Sequence, residues 1–398
     1  MALHKEPYGL VYNDDGSLCV TLRNDDKPFE GVTSFAVEEG TENLISNPLD
    51  LTKTFNHTWW GHGSINSLID GGGLFGGDAR RVTRSGNEDE SYISASDDFG
   101  PFTTSNTTYT YSVYVRPYGD SYKNTPFRFY INIHDLDSNT YTVVESKDVW
   151  LSPGWQRVSL TFTTTDATNY DILIYNTMLK DYVSVGDGFE ITAPQLEQKP
   201  FATSFVDGSR PNGSLLLFDD ATVRSWADNG IVIAGWWKFN YWSDDKHFRV
   251  FSCTESGGFN IEKFPNYDIR LAINDGGTYI HGYFQDPDVF ADLDWHFVVF
   301  YYRPDTKVAK VYVDAVEQTS VTLSQGLHFN EDIYYSLVIG AELNNPQTVD
   351  LQASILVANL FIGKPLDKAG HLIWSDPYIQ QLYQAKRPFS VPPKMPVI

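Results

Sequence analysis

Apolar and polar residues alternate along most of this chain, which is the pattern of β-strands rather than helices. Residues 108–116 place four apolar side chains on one face of a predicted strand: Tyr109, Tyr111, Val113 and Val115. Residues 127–134 and 156–163 alternate in the same way, and residues 170–175 are nearly all apolar, as in a central strand. Short runs of period two between polar turns are typical of an antiparallel β-sandwich.

The second half repeats this pattern and adds one helix. Strands are predicted at seven places: residues 231–239, 248–253, 269–273, 295–303, 309–313, 336–339 and 355–362. Residues 377–385 follow Ser375-Asp376, which are candidate caps, and begin with a proline, as helices often do. Ile379, Leu382 and Tyr383 then share one face, so a short helix can pack on the sandwich.

The fold class that follows is all-β, with two tandem antiparallel β-sandwich (jelly-roll) domains. We expect an N-terminal attachment segment over 1–41, sandwiches over 42–206 and 207–387, and an extended proline-rich tail over 388–398. The first segment contains short alternating pieces that read as a small hairpin. A hairpin of this size cannot stand alone, so we expect it to dock on the next domain or on another protein.

Composition narrows the range of partners. The chain has 398 residues, 15% of them aromatic, and a formal net charge of −22. This negative field repels phosphate backbones and anionic lipid, which argues against nucleic acid as a partner. No run approaches the roughly 20 apolar residues of a membrane helix. The N-terminal residues contain no basic stretch followed by an apolar one, so we predict no export signal. Cys19 and Cys253 are expected to be separate buried thiols.

Three segments of the first half resemble carbohydrate-binding-module-type jelly rolls found in phage tail and virion proteins. Residues 35–48 (FAVEEGTENLISNP) are similar to the first strand of that domain, and residues 150–164 (WLSPGWQRVSLTFTT) to its Trp-Gln-Arg signature. Residues 188–205 (GFEITAPQLEQKPFATSF) are similar to its last strand and are the most specific of the three.

The second half resembles a laminin-G-like or concanavalin A-like jelly roll. The similar segments are AGWWKF at 234–239, the long match at 294–315, LVIGA at 337–341 and ANLFIGKPLD at 358–367. Where relatives usually have Asp-Gly after the Val-Tyr-Val strand, this chain has Asp314-Ala315. We therefore expect the hairpin turn at this position to differ in detail.

Both resemblances imply glycan binding, in which sugar faces stack on aromatic rings. Trp59 and Trp60 are adjacent, so in a strand only one of them can face the core, and the other is a candidate platform. Tyr241 and Trp242, in a turn-like stretch, are further candidates. For all four residues the alternative is structural packing, because large aromatic side chains are mostly buried.

Candidate catalytic and metal-binding residues are few. The glycine-rich stretch before Arg80-Arg81 lacks the Lys-Ser/Thr of a phosphate loop. We find no strand with the spaced carboxylates that a glycosidase needs, so we expect no enzyme. Jelly-roll binding modules often carry a structural calcium ion where the chain begins and ends the domain, which singles out three carboxylates: Glu42, Asp187 and Glu190.

These observations lead to one hypothesis and two alternatives. The hypothesis is a non-enzymatic bacteriophage virion protein, made in the host cytoplasm and released by lysis, that binds host-surface polysaccharide. Its other partners are virion proteins, contacted through the N-terminal segment, and further copies of itself, with a trimer as one candidate. The alternatives are a purely structural capsid decoration, fibre or collar protein, and a polysaccharide depolymerase.

Overall fold

The chain folds into two compact units. The computed structural model describes residues 4–5, 10–12, 18–23, 25–55, 64–86, 91–213, 215–243, 246–254, 257–265, 269–331, 333, 335–345, 348–350 and 352–389. One unit, Thr41–Arg210, is called the inserted unit below. The other combines Met1–Gly40 with Pro211–Ile398 and is called the flanking unit.

Strands dominate both units. The first 40 residues contribute β1 (His4–Lys5), β2 (Leu10–Tyr12), β3 (Leu18–Arg23) and β4 (Ser34–Val37). The inserted unit contributes β5 (Thr41–Glu42), β6 (Ser64–Ile69), β7 (Ala79–Arg84), β8 (Tyr92–Phe102), β9 (Thr108–Tyr118), β10 (Phe127–Asp135), β11 (Thr140–Val149), β12 (Gln156–Thr163), β13 (Tyr170–Leu179), β14 (Gly188–Glu197) and β15 (Ser209–Arg210), with short 3-10 helices at Ser121–Lys123 and Lys180–Tyr182.

The remaining elements belong to the second part of the flanking unit. Its strands are β16 (Leu215–Leu217), β17 (Ile231–Phe239), β18 (Phe248–Thr254), β19 (Gly257–Lys263), β20 (Ile269–Asp275), β21 (Thr278–Tyr283), β22 (His296–Arg303), β23 (Val308–Val313), β24 (Val316–Thr322), β25 (Leu337–Ile339), β26 (Glu342–Asn345), β27 (Thr348–Asp350) and β28 (Ile355–Gly363). Its helices are α1 (Asp220–Arg224), α2 (Trp226–Asn229) and α3 (Asp376–Ala385).

The inserted unit is a two-sheet sandwich. A four-stranded sheet, β11-β10-β13-β8, packs against a five-stranded sheet, β12-β9-β14-β7-β6. Every pairing within these sheets is antiparallel. The core between the sheets holds alternate residues of each strand, among them the predicted row Tyr109, Tyr111, Val113 and Val115. Alternation therefore leaves the intervening residues on the outer faces.

The flanking unit is a larger sandwich with an extra layer. A nine-stranded sheet, β1-β2-β3-β4-β28-β17-β22-β23-β24, and a six-stranded sheet, β16-β25-β18-β19-β20-β21, enclose the main core. The outer face of the nine-stranded sheet carries a second apolar cluster, which includes Trp236, Tyr301 and Tyr312. Ile379, Leu382 and Tyr383 of α3 pack on this cluster, so the predicted amphipathic helix is confirmed.

The first 40 residues do not form a separate segment, in contrast to the prediction of an attachment segment over 1–41. Strand β4 pairs with β28, the last strand of the chain, through Val37↔Ile355 to Ser34↔Ala358. Strand β3 pairs with β4, so β1 to β4 extend the nine-stranded sheet. The physical reason is that β3 and β4 bury apolar side chains, among them Val20 and Val37, and gain hydrogen bonds by joining an existing sheet edge.

The predicted all-β fold class, with antiparallel sheets and one short C-terminal helix, is confirmed. Cys19 and Cys253 are both free and buried, as predicted. The sequence analysis missed the short helices α1 and α2. Their start is encoded by Asp219, whose side chain accepts a hydrogen bond from the Thr222 N–H. No helix among the described residues is long and apolar enough to cross a membrane.

The hairpin between β23 and β24 also departs from the prediction. Val313 pairs with Val316, so Asp314 and Ala315 form a two-residue turn. Both have positive φ, 51° and 65°, which is the conformation that such tight hairpins require. The turn therefore keeps its usual shape although alanine replaces the expected glycine.

A buried amide, Asn43, ties the beginning of the inserted unit to its end. Its Oδ1 accepts hydrogen bonds from the Ile45 and Leu196 N–H groups, each at 3.1 Å. Its Nδ2 donates to the carbonyl oxygens of Pro194 (3.1 Å) and Val206 (3.2 Å). The amide thus uses both of its donors and both acceptor positions, which explains why this residue stands in the TENLISNP segment.

The last strand supplies the rest of this polar network. Glu197 accepts hydrogen bonds from the Thr41 hydroxyl (2.6 Å) and from the Thr203 hydroxyl (2.6 Å) and N–H (3.1 Å). Gln195 accepts one from the Val206 N–H at 2.8 Å. Side chains of the APQLE and ATSF segments therefore form the hydrogen bonds that join the beginning of the inserted unit to its end.

We expect Asn43→Ala to lower the free energy of unfolding of the inserted unit by about 2–4 kcal/mol, because it leaves buried backbone groups without partners. Chemical denaturation monitored by tryptophan fluorescence measures this loss. Asn124→Ala is the matched control, since Asn124 is exposed and should change little. Equal stability of the two variants would contradict the role assigned to Asn43.

Candidate functional site

The outer face of the four-stranded sheet of the inserted unit brings aromatic and charged side chains together. Tyr130 on β10 lies opposite Tyr175 on β13, and the two rings meet edge to face with centroids 5.8 Å apart. One row further along, Arg128 lies between Thr177 on β13 and Asp148 on β11. Strand register therefore arranges residues that are far apart in the chain into adjacent rows.

These side chains line a small cavity of about 130 Å³, formed by Tyr92, Arg128, Tyr130, Tyr175 and Thr177. We call this surface the tyrosine face. Tyr92 and Tyr130 are half-buried, whereas Tyr175 is only 5% exposed. The cavity thus has aromatic walls whose rings are held by the sheet, with part of their surface open to solvent.

An ion pair fixes one end of the tyrosine face. Arg128 donates from Nε and Nη2 to the two carboxylate oxygens of Asp148, at 2.5 and 2.8 Å. The hydrogen bond to Asp148 raises the pKa of Arg128 above its already high value, and Arg128 lowers the pKa of Asp148. Both groups therefore stay charged, and this bidentate geometry holds the guanidinium in one orientation.

Asn132 adds a polar group on the same side of β10, next to Tyr130. It is 7% exposed, and its Oδ1 has no hydrogen-bond partner among the described residues. A buried amide oxygen without a partner is costly, and an internal water is the partner that this enclosed oxygen can accommodate.

The far end of this face carries a further stack. His134 on β10 lies opposite Tyr141 on β11, and their rings are parallel with centroids 4.1 Å apart. Tyr141 is 54% exposed. Aromatic surface therefore continues along the outer face beyond the cavity.

Such an arrangement suits a ligand with both apolar faces and hydroxyl groups. Tyrosine rings offer flat apolar surface together with a polar hydroxyl. The fixed guanidinium donates hydrogen bonds, and the hydroxyl groups of the tyrosines and of Thr177 both donate and accept them. Ligand sites generally combine aromatic walls with a few oriented polar groups of this kind.

The residues predicted as sugar platforms are placed elsewhere. Trp59 and Trp60 lie outside the described residues. Trp242 is half-buried and packs edge to face against Phe239 (5.3 Å) and Phe248 (5.6 Å) at the margin of the core of the flanking unit. The structure therefore does not present Trp242 as an open platform, because other rings occupy its surroundings. Tyr241 is half-buried and stays a prediction.

The three carboxylates predicted to bind calcium are not brought together. Glu42 lies at the end of β14 where Leu196 accepts the Leu44 N–H, whereas Asp187 precedes the first residue of β14. A ten-residue strand spans roughly 30 Å, so one ion cannot contact both side chains. Asp187 instead accepts hydrogen bonds from the N–H and the hydroxyl of Ser121, at 3.1 and 2.7 Å.

Glu190 is engaged by two arginines. Its Oε1 accepts from Arg81 Nε at 2.7 Å, and its Oε2 accepts from Arg116 Nε. The guanidinium of Arg81 stacks on Tyr118 at 3.9 Å, and that of Arg116 on Trp155 at 4.4 Å. This cluster is positive overall and therefore repels a calcium ion. Across the described residues, no group of three or more His, Cys, Asp or Glu side chains could hold a metal ion.

The residues of the tyrosine face were not predicted, although the sequence contains a signal for them. In the alternating segment 127–134, Arg128, Tyr130, Asn132 and His134 fall on the side opposite the apolar row. A strand with aromatic and polar residues on its solvent side is a candidate binding surface. That β10 and β13 are neighbours, however, depends on the order of the strands in the sheet, which a period-two pattern does not reveal.

Comparisons with known proteins concern the fold. Residues 212–355 match the family Laminin_G_3, described as the concanavalin A-like lectin/glucanases superfamily, which covers less than half of the chain. No curated protein matches.

The solved structures that match have low sequence identity and low TM-scores. The Ruminococcus gnavus IT-sialidase CBM40 bound to alpha2,3 sialyllactose is 12% identical, with 43% of this chain and 96% of that chain covered and a TM-score of 0.32. The botulinum neurotoxin serotype D binding domain is 14% identical, with 40% and 36% covered and a TM-score of 0.30. Family 16 Carbohydrate Binding Module-2 is 17% identical, with 39% and 99% covered and a TM-score of 0.28. The chain spans less than half the length of the toxin chains it matches.

From its antiparallel sheets and the family match, the chain is an all-β protein of jelly-roll, lectin-like fold. Its residues 212–355 carry the concanavalin A-like part of that description.

We expect neither calcium nor EDTA to change the Tm of the purified chain, because the three carboxylates do not converge. Differential scanning fluorimetry in both conditions measures this. A site saturated at a hundred times its Kd would stabilise the fold by about 2.7 kcal/mol. A saturable rise in Tm with calcium would contradict the expectation, and Asp187→Asn would then show whether that carboxylate is involved.

Proposed function

We propose that this protein binds glycans through the tyrosine face and that it does so without catalysis. The observation that carries the proposal is the cavity lined by Tyr92, Tyr130 and Tyr175 beside the fixed Arg128–Asp148 pair. Aromatic rings supply stacking surface for sugar rings, and the oriented guanidinium supplies hydrogen-bond donors for hydroxyl groups. The match of residues 212–355 to the concanavalin A-like lectin/glucanases superfamily is consistent with this role.

The chemistry of the face favours binding over hydrolysis. A glycosidase needs a protonated carboxyl group as general acid and a second carboxylate across the scissile bond. Asp148, the carboxylate beside the cavity, has both oxygens bonded to Arg128 and a lowered pKa. It is therefore unsuited to donate a proton near neutral pH.

We further propose that the protein is exposed on a bacteriophage particle, where it attaches to host-surface polysaccharide. Support comes from the first-strand and last-strand segments that resemble jelly rolls of phage virion proteins. The net charge of −22 favours solubility at high local copy number. Many copies on one particle would offset weak affinity at each site, because linked sites raise the effective concentration.

We expect Tyr130→Ala to weaken the binding of at least one glycan about tenfold or more, which corresponds to about 1.4 kcal/mol of lost contact. A glycan microarray followed by isothermal titration calorimetry with the strongest ligand measures this. Tyr182→Ala is the matched control, since Tyr182 belongs to the same unit and is 58% exposed. Absence of binding by the unmodified chain would instead favour a structural decoration, fibre or collar protein.

Location is tested separately. We expect the protein to co-purify with intact phage particles through a density gradient and to be labelled on their surface by immunogold electron microscopy. A protein confined to the soluble fraction of the lysate would contradict the virion assignment while leaving glycan binding intact.

A further inference from the structure

The flanking unit contains a second cavity that the proposed function does not use. It lies on the outer face of the nine-stranded sheet, beside the first residues of α3, and has a volume of about 460 Å³. It is broadly open to solvent rather than enclosed. We call it the helix groove and define it by six of its lining residues: Tyr301, Arg303, Thr306, Lys310, Ser375 and Asp376.

The charged side chains of the helix groove are held in place by partners. Arg303 donates from Nε and Nη2 to the carboxylate of Asp305, at 3.2 and 2.6 Å. Lys310 Nζ donates to Glu317 at 2.5 Å. Each positive charge therefore already has a counter-ion, and its side chain is oriented before any ligand arrives.

Asp376 is positioned by a tyrosine pair. The Tyr312 hydroxyl donates to Asp376 Oδ1 at 2.8 Å. The ring of Tyr312 stacks on that of Tyr301 with centroids 6.2 Å apart. Both tyrosines are almost fully buried, at 2% and 3% exposure. The buried Tyr312, which packs against Tyr301, therefore holds the carboxylate of Asp376 in place.

Several polar atoms of the groove remain without hydrogen bonds among the described residues. Arg303 uses Nε and Nη2 and leaves Nη1, whereas Asp376 uses Oδ1 and leaves Oδ2. Ser375 occupies the position before α3, yet its side chain makes no capping hydrogen bond. The hydroxyl of Thr306 is exposed at the rim. Donors, an acceptor and two hydroxyl groups therefore face one cavity.

We propose that the helix groove is a second glycan-binding site, selective for neutral, hydroxyl-rich saccharides. Sugar hydroxyls can donate to Asp376 Oδ2 and accept from Arg303 Nη1 at the same time. An anionic ligand gains less, because Arg303 and Lys310 each already have a counter-ion that the ligand would have to displace. Apolar lining residues such as Val308 and Pro377 supply contact surface for the sugar ring.

The inference shares its ligand class with the proposed function and makes the chain bivalent. One site lies in the inserted unit and the other in the flanking unit. Two weak sites on one chain raise the effective concentration of a repetitive polysaccharide at each of them.

The test uses the full chain and a microarray of neutral oligosaccharides (glucan, mannan, galactan and xylan fragments) with acidic ones for comparison. In the Tyr130→Ala background we expect residual binding to a neutral oligosaccharide. Thr306→Trp should abolish this residual signal, because the indole fills the groove from an exposed position. Thr278→Trp is the matched control, since Thr278 is exposed on the other sheet of the same unit. Asp376→Asn, which removes the charge but keeps the shape, should weaken the residual binding at least tenfold.

The two proposals fail differently. If Tyr130→Ala abolishes all binding and Thr306→Trp has no effect in the unmodified chain, the groove proposal is overturned and the tyrosine face stands. If Thr306→Trp abolishes binding and Tyr130→Ala has no effect, the tyrosine face is overturned and the groove stands. Residual binding to acidic but not neutral saccharides would overturn the stated selectivity.

Discussion

The inserted unit depends on the way its two chain ends are joined. Asn43, near the first residue of the unit, satisfies its whole amide with backbone groups of Ile45, Pro194, Leu196 and Val206. Because Pro194, Leu196 and Val206 come from the last strand and the segment after it, the amide fixes where β14 ends. Strand β14 is central in the five-stranded sheet, so its position sets the register of its neighbours. An interaction between neutral polar groups thereby determines how the apolar faces meet.

Register is also what creates the candidate sites. The tyrosine face exists because β10 pairs with β13 so that Tyr130 meets Tyr175, and with β11 so that Arg128 meets Asp148. A shift by one residue would turn all of these side chains into the core. The helix groove depends in the same way on a strand pair, since Tyr301 and Lys310 lie opposite each other on β22 and β23. In both units every second side chain of a strand faces the core, and this places the candidate binding residues on the outer face.

The sequence alone predicted the elements better than their arrangement. Period-two patterns located β12 and β17 with their observed bounds, and the apolar row of β9 was assigned to the correct face. Pairing between distant segments carries no such local signal, which is why β4 beside β28 and β10 beside β13 were not foreseen. The resemblance to jelly-roll binding modules suggested a calcium site at Glu42, Asp187 and Glu190, where the chain begins and ends the domain. The actual partners of the last two, Ser121 for Asp187 and Arg81 with Arg116 for Glu190, become visible only in three dimensions.

Splitting the flanking unit across the sequence has a consequence for biosynthesis. The backbone oxygen of Glu38 accepts a hydrogen bond from the side chain of Gln352, 314 positions later, at 2.9 Å. Strand β4 likewise pairs with β28, which is synthesised much later. The inserted unit can complete its sheets as soon as residue 210 has left the ribosome. The opening strands can pair with one another, but the edge of β4 that β28 covers stays without its partner until translation is nearly finished. Ribosome-bound intermediates of this protein would therefore combine a finished lobe with an exposed strand edge, the kind of surface that chaperones protect from aggregation.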